Sequence, residues 1–167
     1  IEGLAEAMAS GFAVTIEQAM SRDTPFDPGA NPIVFGSGMG AELAIDYKLR
    51  GLNVRLIDAA PKHRAVNYLG SRGPKVMAFL DKLGVPIESG VKPVALGKGE
   101  VRVASGASNA DTIAATSFVI CPDRKPADGL VAALRGKGVT VQVLGDARKP
   151  RSAGNAVHEA AYLVRKI

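Results

Sequence analysis

Residues 32 to 58 place a glycine turn between two apolar runs, and an acidic residue closes the second run. Pro32-Ile33-Val34-Phe35 leads into Gly36-Ser37-Gly38-Met39-Gly40-Ala41, and Asn53-Val54-Arg55-Leu56-Ile57 ends at Asp58. The pattern Gly36-x-Gly38-x-x-Ala41 has the spacing of a turn that cradles a diphosphate. The first glycine allows the tight turn, the second lets backbone approach the pyrophosphate, and a small residue at 41 lets the helix lie against the strand with its N–H groups facing the anion. Ser37, Met39 and Gly40 complete the expected cofactor-binding loop. Asp58, twenty residues after Gly38, stands where a carboxylate accepts hydrogen bonds from an adenosine ribose. A 2′-phosphate would be repelled there, which favours NAD(H) over NADP, and on this reading Asp58→Arg weakens NADH binding and eases NADPH binding.

Two other readings of the loop compete. A glycine-rich strand-to-helix turn can bind nothing, and the flanking strands are what tip the balance toward a nucleotide. Gly36-x-Gly38-x-Gly40 also has the form of a loop that holds S-adenosylmethionine. That loop usually carries an acidic residue two places before its first glycine, where Val34 stands here.

A second group of residues lies near the other end. Val143-Leu144-Gly145-Asp146-Ala147-Arg148-Lys149-Pro150-Arg151 is followed by Ala156-Val157-His158-Glu159-Ala160. With these residues the sequence resembles the C-terminal flavin- and pyridine-nucleotide-binding lobes of the old-yellow-enzyme-type oxidoreductases, the family of 2,4-dienoyl-CoA reductase and trimethylamine dehydrogenase. There a strand ends in Gly-Asp, a Pro-Arg pair follows, and an Ala-hydrophobic-His-Glu-Gly helix closes the domain. The resemblance runs from about Val14 to the end of the chain.

The resemblance implies that Gly145 and Asp146 meet a sugar or ribityl hydroxyl of FAD. It aims the start of the closing helix, with Ala156 and Val157, at the flavin, and a helix N-terminus stabilises negative charge on a reduced flavin. There are three departures. Ala160 replaces the family's glycine. Only one glycine fingerprint is present where relatives carry two. The stretch Gly40-Ala41-Glu42-Leu43-Ala44 aligns with the family's later fingerprint only by deleting a residue. The expected function is therefore a nucleotide-binding module or subunit of a flavin-dependent oxidoreductase, not catalytically complete alone. It would hold NAD(H) or an ADP moiety and share a FAD site with a larger flavoprotein subunit or a missing lobe. The alternative is a non-catalytic ADP-binding or assembly subunit of a multi-chain dehydrogenase.

Positioning these groups requires an α/β fold. Strand, glycine turn, helix (Ala41 to Leu49) and strand make one parallel βαβ unit. Lys75 to Leu83 reads as a helix, Val91 to Leu96 and Val101 to Ala104 as an antiparallel hairpin crossover, and Phe118 to Cys121 as a buried strand. A helix near Leu130 to Leu134, a last strand at Val139 to Leu144 and a closing helix from Gly154 to Ile167 complete a Rossmann-like sheet and the C-terminal part of a FAD-type domain. Thr15 and Gln18 have capping-box spacing. The expected domains are a lead-in and linker at 1–31, a nucleotide-binding lobe at 32–117 and a FAD-type segment at 118–167.

Bulk properties exclude several classes. Among 167 residues, 47% are apolar, which supplies a core, and the net charge of +5 is scattered without a like-charge block, so neither disorder nor nucleic-acid binding is indicated. A single cysteine, Cys121, precludes an internal disulfide and a Cys-ligated metal site and fits a reducing cytoplasm. It reads as a small buried hydrophobe, His63 as solvated, and His158 as packed or bonded locally. No apolar run approaches the ~20 residues of a membrane span. The chain begins with Ile1, which is expected of a processed or excised piece of something longer.

Overall fold

The computed structural model describes residues 1–60, 69–106, 110–121 and 124–166; His63 lies outside them. The chain divides into two units, Ile1–Pro122 and Asp123–Ile167. In the first, five parallel strands stand in the order β1-β8-β2-β3-β4: β1 (Ala13–Thr15), β2 (Pro32–Phe35), β3 (Arg55–Asp58), β4 (Ile87–Ser89) and β8 (Ser117–Ile120). A separate antiparallel sheet is made of β5 (Val91–Gly97), β6 (Glu100–Ser105) and β7 (Asp111–Ala114). Among the described residues the unit also holds helices α1 (Leu4–Ala9), α2 (Ile16–Ala19), α3 (Met39–Leu49) and α4 (Gly73–Lys82) and a 3-10 turn at Gly70–Arg72.

The parallel strands are apolar on both faces because both faces are covered. Val34, Leu56 and Val119 share a core with Ala41, Leu43, Ala44 and Tyr47 of α3 and Leu80 of α4. The alternate residues Ile33, Ile57, Phe118 and Ala13 pack with Val91, Leu96, Val101, Val103 and Ile113 of the antiparallel sheet. The rings of Phe35 and Phe118 stack at 6.1 Å. Helix α3 buries Gly40, Ala41, Leu43, Ala44 and Tyr47, one face at helical spacing, and ends before Gly51.

The lead-in is part of this sheet. Thr15 and Gln18 form the expected capping box at the start of α2, and Ala13, Val14 and Thr15 pair with Phe118, Val119 and Ile120. β8 is thus held on both sides, by β1 and by β2.

In the second unit, α5 (Val131–Arg135) and α6 (Ala153–Val164) flank a 3-10 turn at Gly145–Ala147. The expected last strand is corrected here: Val139 to Leu144 joins no strand ladder among the described residues. Its β-branched alternation favours extended backbone, and Leu144 is extended, but a strand also needs a neighbour's N–H and C=O groups.

Two measurements test this packing. A Cβ at Gly40 would lie 2.8 Å from Cγ1 of Val34 and 3.0 Å from Sγ of Cys121, so Gly40→Ala should destabilise the protein by about 1–3 kcal/mol, the usual cost of overpacking. Urea unfolding reads this directly, and unchanged stability would mean that α3 stands off the sheet.

Burial also pushes the Cys121 thiol from its ordinary value of 9.0 up to about 12, and the Tyr47 phenol from 10.0 to about 12. Between these values the folded chain holds more protons than the unfolded one. Stability is therefore fully present below pH 9 and should fall as pH rises from 9 toward 12. A flat alkaline profile for Cys121→Ala/Tyr47→Phe beside a falling parent profile would assign the loss to these groups, whereas parallel profiles would contradict it.

Candidate functional site

The glycine loop leaves the carboxyl end of β2 between β8 and β3. β2 continues through α3 to β3 on one side, while β8, on the other side, comes from much later in the chain. In open parallel sheets, ligands bind in the crevice at such a switch point. The loop backbone is pressed against the neighbouring strand ends: Gly36 N–H donates to Ile57 O at 2.8 Å, and Cys121 N–H donates to Phe35 O at 2.8 Å.

Gly36 has φ +106°, and a Cβ there would fall 2.3 Å from the carbonyl oxygen of Cys121. No other residue fits without moving that strand end. Gly38 is the N-cap of α3, and no side chain caps the helix from it. The positive end of the α3 dipole is thus presented at the crevice. Ala41 is fully buried, as the spacing requires, and the helix also approaches the sheet closely at Gly40.

Asp58 ends β3 and is only 3% exposed. Its Oδ2 accepts a hydrogen bond from Ser37 N–H at 2.9 Å and another from the Ser37 hydroxyl, and its Oδ1 accepts from Ala60 N–H at 2.8 Å. The predicted ribose acceptor therefore holds the glycine loop itself. Asp58→Arg would set a guanidinium, which is all donors, against two N–H groups and a hydroxyl, so it is no clean cofactor switch.

This partnership escaped the sequence reading, which counted Ser37 among the cofactor-binding residues of the loop and did not pair it with Asp58. The signal was a small hydroxyl residue between two glycines, opposite a strand-end carboxylate. Cys121 is half-buried against the core, with Sγ beneath Gly40.

In the second unit, Gly145 has φ +58°, and a Cβ there would meet Cβ of Ala156 at 3.2 Å. Gly145 N–H donates to Glu159 Oε2 at 2.8 Å, and Glu159 also pairs with Arg148 at 3.4 Å and with Arg151. Glu159 is the residue that fastens the Gly-Asp turn to α6, and the sequence reading gave it no role. Its signal was an acid placed among the arginines of the Pro-Arg segment.

Asp146 is more than half exposed. It pairs with Arg124 at 3.8 Å and accepts from Arg151 N–H at 3.4 Å. Helix α6 is capped by Ser152 in a capping box with Asn155, so Asp146 does not cap it. Val157 is exposed, Ala156 is half-buried, and His158 is exposed. Among the described residues no group of His, Cys, Asp or Glu could hold a metal ion, and no helix is long and apolar enough to cross a membrane.

A scan against protein-family models matches none, and no curated protein matches the sequence. Solved structures do match. Histamine dehydrogenase from Rhizobium sp. 4-9 superposes with a TM-score of 0.71 at 20% identity, covering 93% of this chain and 24% of its own. A 2-naphthoyl-CoA reductase in complex with 2-naphthoyl-CoA gives 0.72 at 18% identity over 95% of this chain and 23% of its own. The HOCl-induced flavoprotein disulfide reductase RclA from Escherichia coli gives 0.60 at 14% identity over 93% and 39%. The chain thus spans about a quarter of the length of the first two. At these identities the likeness shows a shared fold, the α/β architecture that these oxidoreductases use.

Proposed function

We propose that this chain is a nucleotide-binding module of a flavin-dependent oxidoreductase, with the diphosphate of NAD(H) or ADP held on the loop Gly36 to Gly40. The observation that carries the reading is the Gly36–Gly38 turn at the switch point of a parallel sheet, with the N-terminus of α3, which begins at Met39, behind it. The site supplies backbone N–H groups and a helix dipole, the donor set a diphosphate takes. Gly145, Asp146 and the start of α6 contribute to a FAD site completed by another chain or lobe. The half-exposed Asp146 carboxylate fits a hydroxyl donor there. Flavin and nicotinamide supply the hydride chemistry when bound, and the residues named here bind and orient them.

A second reading, ADP held without hydride transfer, is favoured by one feature of the site. Every residue assigned on the glycine loop, and Asp58 beside it, serves the ADP half of the ligand. Calorimetry of the full chain with ADP and NADH separates the two: a module that positions nicotinamide binds NADH more tightly, and equal affinities support the ADP reading.

Gly38→Val should weaken ADP binding by at least about tenfold, since a branched side chain would occupy the space of the pyrophosphate. Far-UV circular dichroism and thermal melting of the same sample separate lost binding from lost folding. Folded Gly38→Val that binds ADP like the parent would place the nucleotide elsewhere.

A further inference from the structure

A groove of about 290 Å³ runs between the end of α2 and one face of α3. Met39, Leu43 and Tyr47 fall at helical spacing on that face, and Ala19 and Met20 line the other side. The charged residues of the lining have partners of opposite sign. Arg50 pairs with Asp46 at 3.5 Å, and Glu42 pairs with Arg72 at 3.2 Å. The groove therefore favours a neutral occupant over an ion.

Tyr47 supplies the second, independent observation. The residue is 1% exposed, and its hydroxyl is buried with no hydrogen-bond partner. Among the described residues no other buried side-chain polar atom is left in this state. A hydroxyl taken out of water and left unbonded costs stability, so native structures keep few of them. Long side chains on a helix lean toward its N-terminal turn. The Tyr47 ring is thus directed along α3 toward Leu43 and Met39, its neighbours on the groove wall. Burial raises the phenol to about 12, so at neutral pH the hydroxyl carries its proton and can donate it.

From this arrangement we infer that the groove is a binding site for a small neutral aromatic molecule bearing one hydrogen-bond acceptor, such as an aryl ketone. The Tyr47 hydroxyl donates to that acceptor, and the apolar body lies against Leu43 and the two methionines. Thioether side chains are unbranched and flexible and make favourable contacts with aromatic rings, so Met20 and Met39 are the residues that shift to let a guest reach the hydroxyl. The inference does not depend on the nucleotide reading of the glycine loop.

The test uses the full chain, with acetophenone and ethylbenzene as probes, followed by amide shifts in NMR titrations of the parent and Tyr47→Phe. Acetophenone should give saturable changes at Ala19, Met20, Leu43 and Tyr47. Tyr47→Phe should weaken acetophenone by about threefold to tenfold, the worth of one hydrogen bond, and leave ethylbenzene within about twofold. Urea unfolding of the same variant should show stability no lower than the parent's, since the lost hydroxyl has no partner to miss.

A parent without saturable changes at the groove would overturn the inference. So would a Tyr47→Phe variant in which both probes change equally, or neither does, because the hydroxyl would then not read the acceptor. A variant that is less stable or fails to fold would show that the hydroxyl is already bonded in the folded chain, and that would overturn it too.

Discussion

The structure depends on one close approach: at Gly36 and Gly40 the backbone lies against the ends of β2 and β8 with no room for a side chain. At Gly36 the obstacle would be the carbonyl oxygen of Cys121, and at Gly40 it would be the side chains of Val34 and Cys121. Because both positions are bare, α3 packs directly on the sheet, Ala41 and Ala44 are fully buried beneath it, and its N-terminus comes to the carboxyl edge of the strands. A larger residue at either point would lift the helix off the sheet and take its positive N-terminal end with it.

The second constraint is electrostatic. A buried carboxylate must be hydrogen-bonded, and Asp58 meets that need with the loop and with Ala60. The same contacts join the end of β3 to the turn after β2 and so tie the two sides of the crevice. Glu159 does comparable work in the other unit, where one carboxylate receives the Gly145 N–H and two arginines. In both places an acid secures a glycine turn, and the turn is the element assigned to a cofactor.

Much of this was legible in the sequence because its determinants are local. The strand, glycine turn, helix and second strand follow from periodicity and from the need for glycine at the turn, and Thr15 with Gln18 marked a capped helix at the spacing observed. Pairings across long stretches of chain were not legible. Nothing in Ala13-Val14-Thr15 says that it will lie beside Phe118-Val119-Ile120, more than a hundred residues later. Val139 to Leu144 shows the reverse: its alternation is that of a strand, but strand formation depends on a partner, and the pattern of one segment does not specify one. The role of Asp58 was read from its position alone, and position does not reveal which donors reach a carboxylate first. The fold itself is shared with solved oxidoreductases at 20% identity or less, so it rests on these few packing requirements more than on the identity of most residues.

Backbone amide shifts followed by NMR during an ADP titration locate the bound nucleotide. The largest saturable changes should fall on Gly36 to Ala41, with smaller ones at the end of β3. Saturable changes confined to other parts of the chain, such as the groove of about 290 Å³ between α2 and α3 lined by Met20, Tyr47 and Arg50, would contradict it.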